Sequence, residues 1–236
     1  MKLRALLYGL LLFLQSALVI TGGAVRLTGS GLGCPTWPEC TPGSYTPVPH
    51  QAEGQLHAWI EFGNRLLTFA LVLSALIVLI HVLKTGRRDL RFLAAGQVLG
   101  IFGQGVLGGI TVLTDLHPLP VAGHLLLSII LIAAAASLYS RREFPARKRT
   151  DLEPLMKQIS LAHIALSFAV IVLGTLVTGS GPHAGDEKAR RLGFDIRTMA
   201  WLHADVVIAL LGLTAAFYIL VRNDKELSRR IGIFTA

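Results

Sequence analysis

The chain has 236 residues, 53% of them hydrophobic and 15% charged, with a formal net charge of +8 and a mean hydropathy of +0.60. A water-soluble domain of this length exposes far more charge, so a soluble globular fold is excluded. The positive charge does not point to nucleic acid either, because 16 of the 22 basic residues gather beside or between long apolar runs on one side, the pattern of a multi-pass membrane protein.

Those runs are Ala5–Val25, Leu66–Leu83, Phe92–Thr114, Leu116–Ser140, Gln158–Gly185 and Val206–Val221. Most reach the ~18–20 residues that span a bilayer as a helix. The last does so if it starts near Thr198 and tolerates Asp205. In lipid the backbone must satisfy its own hydrogen bonds, so the runs are helices. The fold class is therefore an all-α integral membrane protein of six transmembrane helices.

The first run follows Lys2 and Arg4, as a signal peptide would. Its apolar part is too long for a signal core and no Ala-x-Ala cleavage pattern follows, so it reads as a retained helix. It ends at TGGAVRLTGSG, where glycines permit a tight exit. Five prolines between Pro35 and Pro49 then exclude a long helix. This loop, residues 26–58, holds the only two cysteines, Cys34 and Cys40. On an oxidising outer face a disulfide is the first reading. Two unpaired thiols remain open, and a structural zinc is weaker because two cysteines fill only half of its four positions.

Helix two opens with HAWIEFGNRLL. His57 and Glu61 stand one turn apart on one face, as do Glu61 and Arg65. An interfacial Glu–Arg pair beside a wet histidine competes with a functional carboxylate, which is costly at the edge of an apolar span. Helix three carries Gly96, Gly100, Gln104 and Gly108 at four-residue spacing, a seam for close packing. Gln97 and Gln104 are expected to hydrogen-bond across helices. His124 lies about one turn inside helix four. His81 and His163 fall near inner helix ends and read as packing residues. His203 falls near the outer end of helix six.

TGSG occurs at Thr28–Gly31 and again at Thr178–Gly181, each time where an outward-going helix ends. The echo suggests a duplicated four-helix unit. Residues 1–140 are then a complete repeat, 141–156 a basic linker, and 157–236 the first half of a second repeat whose last two helices are absent. The basic clusters put both termini in the cytoplasm. A short amino terminus without a transit peptide suggests a bacterial plasma membrane.

His57, His124 and His203 share a depth near the outer face, with Glu61 beside them. Histidines on facing helices of a bundle are how membrane proteins hold haem iron. No CxxCH motif is present, so any haem is non-covalently held.

On TGSGLGCPTWPEC, WIEFGNRLL, VLGGITVLTDLHPLPVAGHLLLS and the surroundings of His203, the chain resembles the haem A synthases over essentially its whole length. The resemblance implies an eight-helix enzyme of two bundles, one receiving haem O as substrate and one holding haem B as cofactor. It implies oxidation of a haem O ring methyl to a formyl group, giving haem A for terminal oxidases. Glu61 matches the family's essential carboxylate, the candidate catalytic residue, as a general base or a stabiliser of a cationic intermediate. His124 matches the substrate-bundle histidine, His203 the cofactor-bundle histidine, and Cys34 and Cys40 the loop pair. The implied partners are haem O, haem O synthase, membrane lipid and a second copy of the chain supplying the missing half.

Two features depart from the family. Asn64 stands where many members carry the helix-two histidine, so His57 takes over or the substrate iron has one protein ligand. The second cofactor histidine is missing with the last two helices. Two rival readings follow: a b-type cytochrome that carries haem or electrons, needing the histidines but not Glu61, and a non-catalytic subunit assisting oxidase assembly.

Overall fold

The computed structural model describes residues 2–143, 153–182, 185–186 and 189–223. Residues 144–152 of the expected linker lie outside them, as do Glu187, Lys188, Lys225, Arg229 and Arg230. Six helices are present among the described residues: α1 (Lys2–Leu27), α2 (Gln55–Lys84), α3 (Arg91–Leu113), α4 (Pro118–Ser140), α5 (Pro154–Ser180) and α6 (Ile196–Val221). All six are long and apolar enough to cross a membrane, and no strand occurs among the described residues. The chain is an all-α membrane protein, as its composition predicts.

The helix ends follow local chemistry more than hydropathy. α2 begins at Gln55, well before the apolar run at Leu66, which places His57, Glu61 and Arg65 inside the helix. α4 begins at Pro118, where proline fits the first helical position, with His117 Nδ1 accepting from Leu119 N–H at 3.3 Å. α6 begins at Ile196 because Asp195 caps it, accepting from Thr198 N–H at 2.8 Å and Thr198 Oγ1 at 2.7 Å. α5 ends at Ser180, short of the apolar count, where Gly181 and Pro182 stop a helix.

The chain forms two compact units. The first comprises Met1–Lys148 with Gly181–Leu192, and the second Arg149–Ser180 with Gly193–Ala236. In the first, α1 packs on α2, α2 on α3, α3 on α4, and α4 back on α1. α2 and α4 thus face across a diagonal of a four-helix bundle. Its core gathers Tyr8, Leu11, Leu71, Val78, Leu90 and Leu138, with Ala75, Ala94 and Ala135 keeping the backbones close. Gly100 is required in α3, because a Cβ there would stand 2.4 Å from Leu131 Cδ2 of α4. Gly108 faces His124, whereas a Cβ on Gly96 would meet nothing, so the expected seam is shorter by one turn.

Buried amides add direction to this packing. Gln15 Nε2 of α1 donates to Gln97 Oε1 of α3 at 2.8 Å, and Gln97 Nε2 donates to the Leu131 carbonyl of α4 at 2.8 Å. Asn64 Oδ1 of α2 accepts from Thr21 Oγ1 of α1 at 2.6 Å. In the second unit α5 packs along α6, and His163 Nε2 meets Thr214 Oγ1 at 2.8 Å. His81 packs edge-on against Tyr8 with ring centroids 6.0 Å apart. Both histidines therefore contact a neighbouring helix.

Candidate functional site: a latched outer loop and two separate histidines

Cys34 and Cys40 form a disulfide, closing a small ring in the loop between α1 and α2. The loop lies directly on the first turns of α2. Gly33 permits this, because a Cβ there would stand 2.4 Å from the His57 carbonyl oxygen. The Trp37 ring packs against α3 at Gly109. Gln51 Nε2 donates to the Gly33 carbonyl at 2.6 Å, tying the loop to its own far end.

Glu61 is 6% exposed and lies beneath this loop. Cys34 N–H donates to its Oε2 at 2.7 Å, and Arg65 Nε and Nη2 donate to its Oε1 at 3.1 and 2.5 Å. Arg65 also donates to the carbonyls of Cys34, Thr36 and Glu39 at 2.9–3.2 Å. One buried ion pair, one turn long, thus clamps the disulfide ring to α2. Sequence spacing indicated the Glu61–Arg65 pair, but the loop carbonyls it grips lie far off in sequence and carried no signal.

His57 Nδ1 pairs with Ser30 Oγ at 2.8 Å, and Ser30 Oγ with Thr28 Oγ1 at 2.8 Å. Two residues of the first TGSG therefore orient this histidine. It lines a cleft of about 360 Å³ together with Gly33, Pro35, Glu53, Asp115 and Asp186. Its neighbours there are carboxylates and backbone, not His124.

His124 lies between α4 and α3. Its Nδ1 is hydrogen-bonded to Gln104 Oε1, while Gln104 Nε2 donates to the His124 carbonyl at 3.1 Å and to Ser128 Oγ at 2.6 Å. The amide nitrogen has two acceptors, so the amide oxygen is the acceptor facing the ring. Nδ1 then carries the proton and Nε2 is left with an open lone pair. The hydrogen bond across helices that the sequence offers for Gln104 is present, and its partner is His124. The i,i+4 pair His124–Ser128 was the available signal for this network.

His203 belongs to the second unit. It faces α5 at Gly174, where a Cβ would stand 3.3 Å from its Cε1. Its Nδ1 is buried and has no hydrogen-bond partner among the described residues. A buried imidazole with an orphaned nitrogen is the kind of group that a ligand completes. Asn64, at the position expected to hold a second histidine, is engaged by Thr21. No group of three or more His, Cys, Asp or Glu side chains converges on a metal-sized point among the described residues.

Comparison with known proteins gives this geometry a family. The chain is 33% identical over 175 residues to a protein named heme A synthase from Shewanella oneidensis, covering 68% of this chain and 51% of that protein. It is 32% identical over 212 residues to the heme A synthase of Methylobacterium sp. strain 4-46, covering 72% and 56%. For that of Methylobacterium nodulans the identity is 30% over 201 residues, covering 70% and 54%. The chain thus spans about half the length of these relatives. No solved structure matches it significantly. Residues 5–185 match the COX15-CtaA family, described as cytochrome oxidase assembly protein, and the chain belongs to that family.

Proposed function

We propose that this chain acts in haem A formation for oxidase assembly, as a haem A synthase-type oxidoreductase that oxidises a ring methyl of haem O. The observation that carries the reading is the Gln104–His124 pair, which leaves Nε2 with the lone pair an axial ligand needs. The relatives named for this activity support it.

The residues present fit the implied haems. In the first unit His124 would bind the iron of substrate haem O through Nε2. His57 faces a cleft lined by carboxylates and backbone rather than His124, and Asn64 is held by Thr21, so one protein ligand is the arrangement favoured here. In the second unit His203, with its orphaned Nδ1, would bind the iron of haem B. When bound, that cofactor would relay the electrons withdrawn from the methyl group, whose new oxygen comes from water. Glu61 accepts three hydrogen bonds that fix its carboxylate under the disulfide loop. There it acts as a fixed negative charge or as a general base. The loop and its Trp37 restrict water at the outer end of the bundle. The basic clusters support a multi-pass arrangement with both termini cytoplasmic.

One observation favours a second reading, a haem-binding carrier. Glu61, the candidate catalytic group, is fully employed in clamping the loop. Pigment analysis separates the two. The chain is expressed in membranes that contain haem O and no other source of haem A, and the extracted haems are resolved by mass. Haem A is the expected product. Haem O or B on the purified chain without haem A establishes the carrier, and a folded chain without haem removes both readings.

A further inference from the structure

The strongest feature unused by this chemistry lies at the opposite end of the first unit. There the start of α1 meets the ends of α2 and α4 around a cavity of about 100 Å³ lined by Arg4, Tyr8, His81, Thr85, Arg87 and Arg142. Three of the six lining residues are arginines and none is acidic.

The arginines are held in different ways. Arg87 is buried and clamped: its Nε and Nη2 donate to Asp89 at 2.9 and 2.8 Å, and its Nη2 and Nη1 donate to the carbonyls of Arg141 and Glu143 at 2.9 and 3.3 Å. Arg142 lies over the Tyr139 ring, 4.1 Å from its centroid, and donates to the Tyr139 carbonyl at 2.7 Å. Arg4 makes no ion pair or hydrogen bond among the described residues. Among the described residues, the Asp89 carboxylate that pairs with Arg87 is shared with Arg141. Glu143 is largely exposed and stands 3.7 Å from Arg142.

Tyr8 distinguishes a solvated basic rim from a built site. The residue as a whole is 2% exposed and lines this cavity. The tendency of basic residues to collect on one side of a membrane explains arginines at helix ends. It does not explain their convergence on one cavity that Tyr8 also lines. Excess positive charge in a partly desolvated pocket is destabilising. A tetrahedral oxyanion offsets it. It accepts charge-assisted bonds from guanidinium groups and one bond from the phenol. The cavity lies at the ends of three membrane-long helices, and basic pockets between transmembrane helices are known to take lipid phosphates.

We propose that this pocket binds one phosphate group, that of an anionic phospholipid, and so ties the first turn of α1 to the ends of α2 and α4. The test uses the full chain, delipidated in neutral detergent and titrated separately with phosphatidylglycerol, phosphatidylcholine and inorganic phosphate. Thermal unfolding and native mass spectrometry are the readouts. Phosphatidylglycerol should raise the unfolding midpoint saturably, with about one lipid retained per chain. Arg4→Gln should weaken the apparent affinity about tenfold through loss of one charge-assisted contact. Tyr8→Phe, which keeps the ring and its packing, should also weaken it and covers the case in which the arginine variant fails to fold. A rise with inorganic phosphate alone keeps the phosphate site and overturns the lipid as its source. An equal rise with phosphatidylcholine, or an unchanged response in Tyr8→Phe and Arg4→Gln, overturns the proposal.

Discussion

A single amide decides what His124 can do. With Gln104 Oε1 facing Nδ1, the ring is held in one orientation and one tautomer. Gln104→Leu should leave Nδ1–H unpaired and cut haem retention by about 10–100-fold, the range seen when outer partners of metal-binding histidines are removed. Gln104→Glu should keep the haem, make the imidazole a stronger donor and lower the midpoint potential; redox titration of the purified chain reads both. Arg65 is equally decisive for the loop. Arg65→Met would strand Glu61, which is 6% exposed, without its cation. Breaking a fully buried pair costs ~3–5 kcal/mol, and the 21% exposure of the Arg65 side chain reduces this to about 2–3 kcal/mol. The expected sign is rapid proteolysis between Cys34 and Glu39, with α2 itself intact; a variant as protease-resistant as the parent would show that the loop is held without the ion pair.

At the scale of elements, polar side chains set the register of otherwise interchangeable apolar helices. Gln97 joins α1, α3 and α4 through Gln15 and the Leu131 carbonyl. Gln97→Leu should destabilise the first unit by about 1–3 kcal/mol, because it leaves Gln15 buried and unpaired. Adding Gln15→Leu should recover much of that loss, an interaction measurable by a double-mutant cycle in detergent. α6 shows the same control at its start. The hydrogen bonds from Thr198 hold the Asp195 carboxyl below the usual carboxylate range. Its folded pKa is depressed, so its contribution is complete above the ordinary aspartate value and is lost as pH falls through the lowered one. Amide exchange in the first turn of α6 should therefore accelerate under acid, and Asp195→Ala should show the fast rate at neutral pH. No acceleration on acidification would mean that the cap does not hold this turn.

For the whole molecule, the two units differ in how much of each helix they cover. The four helices of the first bury a larger part of their apolar windows than α5 and α6 do. Local stability follows buried contact. Hydrogen exchange in detergent should open α5 and α6 before α3, whose Ala94, Gln97 and Ile101 are buried in the bundle. Simultaneous exchange of both units would refute that order. The same division separates the histidines: His57 and His124 stand in one unit and His203 in the other, so their common depth in the sequence is not evidence of a common site.

Sequence by itself determined the class, the six apolar helices of the described residues, the disulfide as first reading and the Glu61–Arg65 spacing. Each rests on a simple rule: apolar length against bilayer thickness, the only two cysteines on an oxidising outer face, and the turn of a helix. What only the tertiary structure decided is which side chains meet. His57 turns to Ser30, Asn64 to Thr21 and Gln104 to His124. Arg65 reaches carbonyls of a proline-rich loop that has no periodicity to read. In an apolar bundle, hydropathy is nearly the same on every face, so the rotation of each helix is set by a few amides, hydroxyls and glycines whose partners lie on other helices.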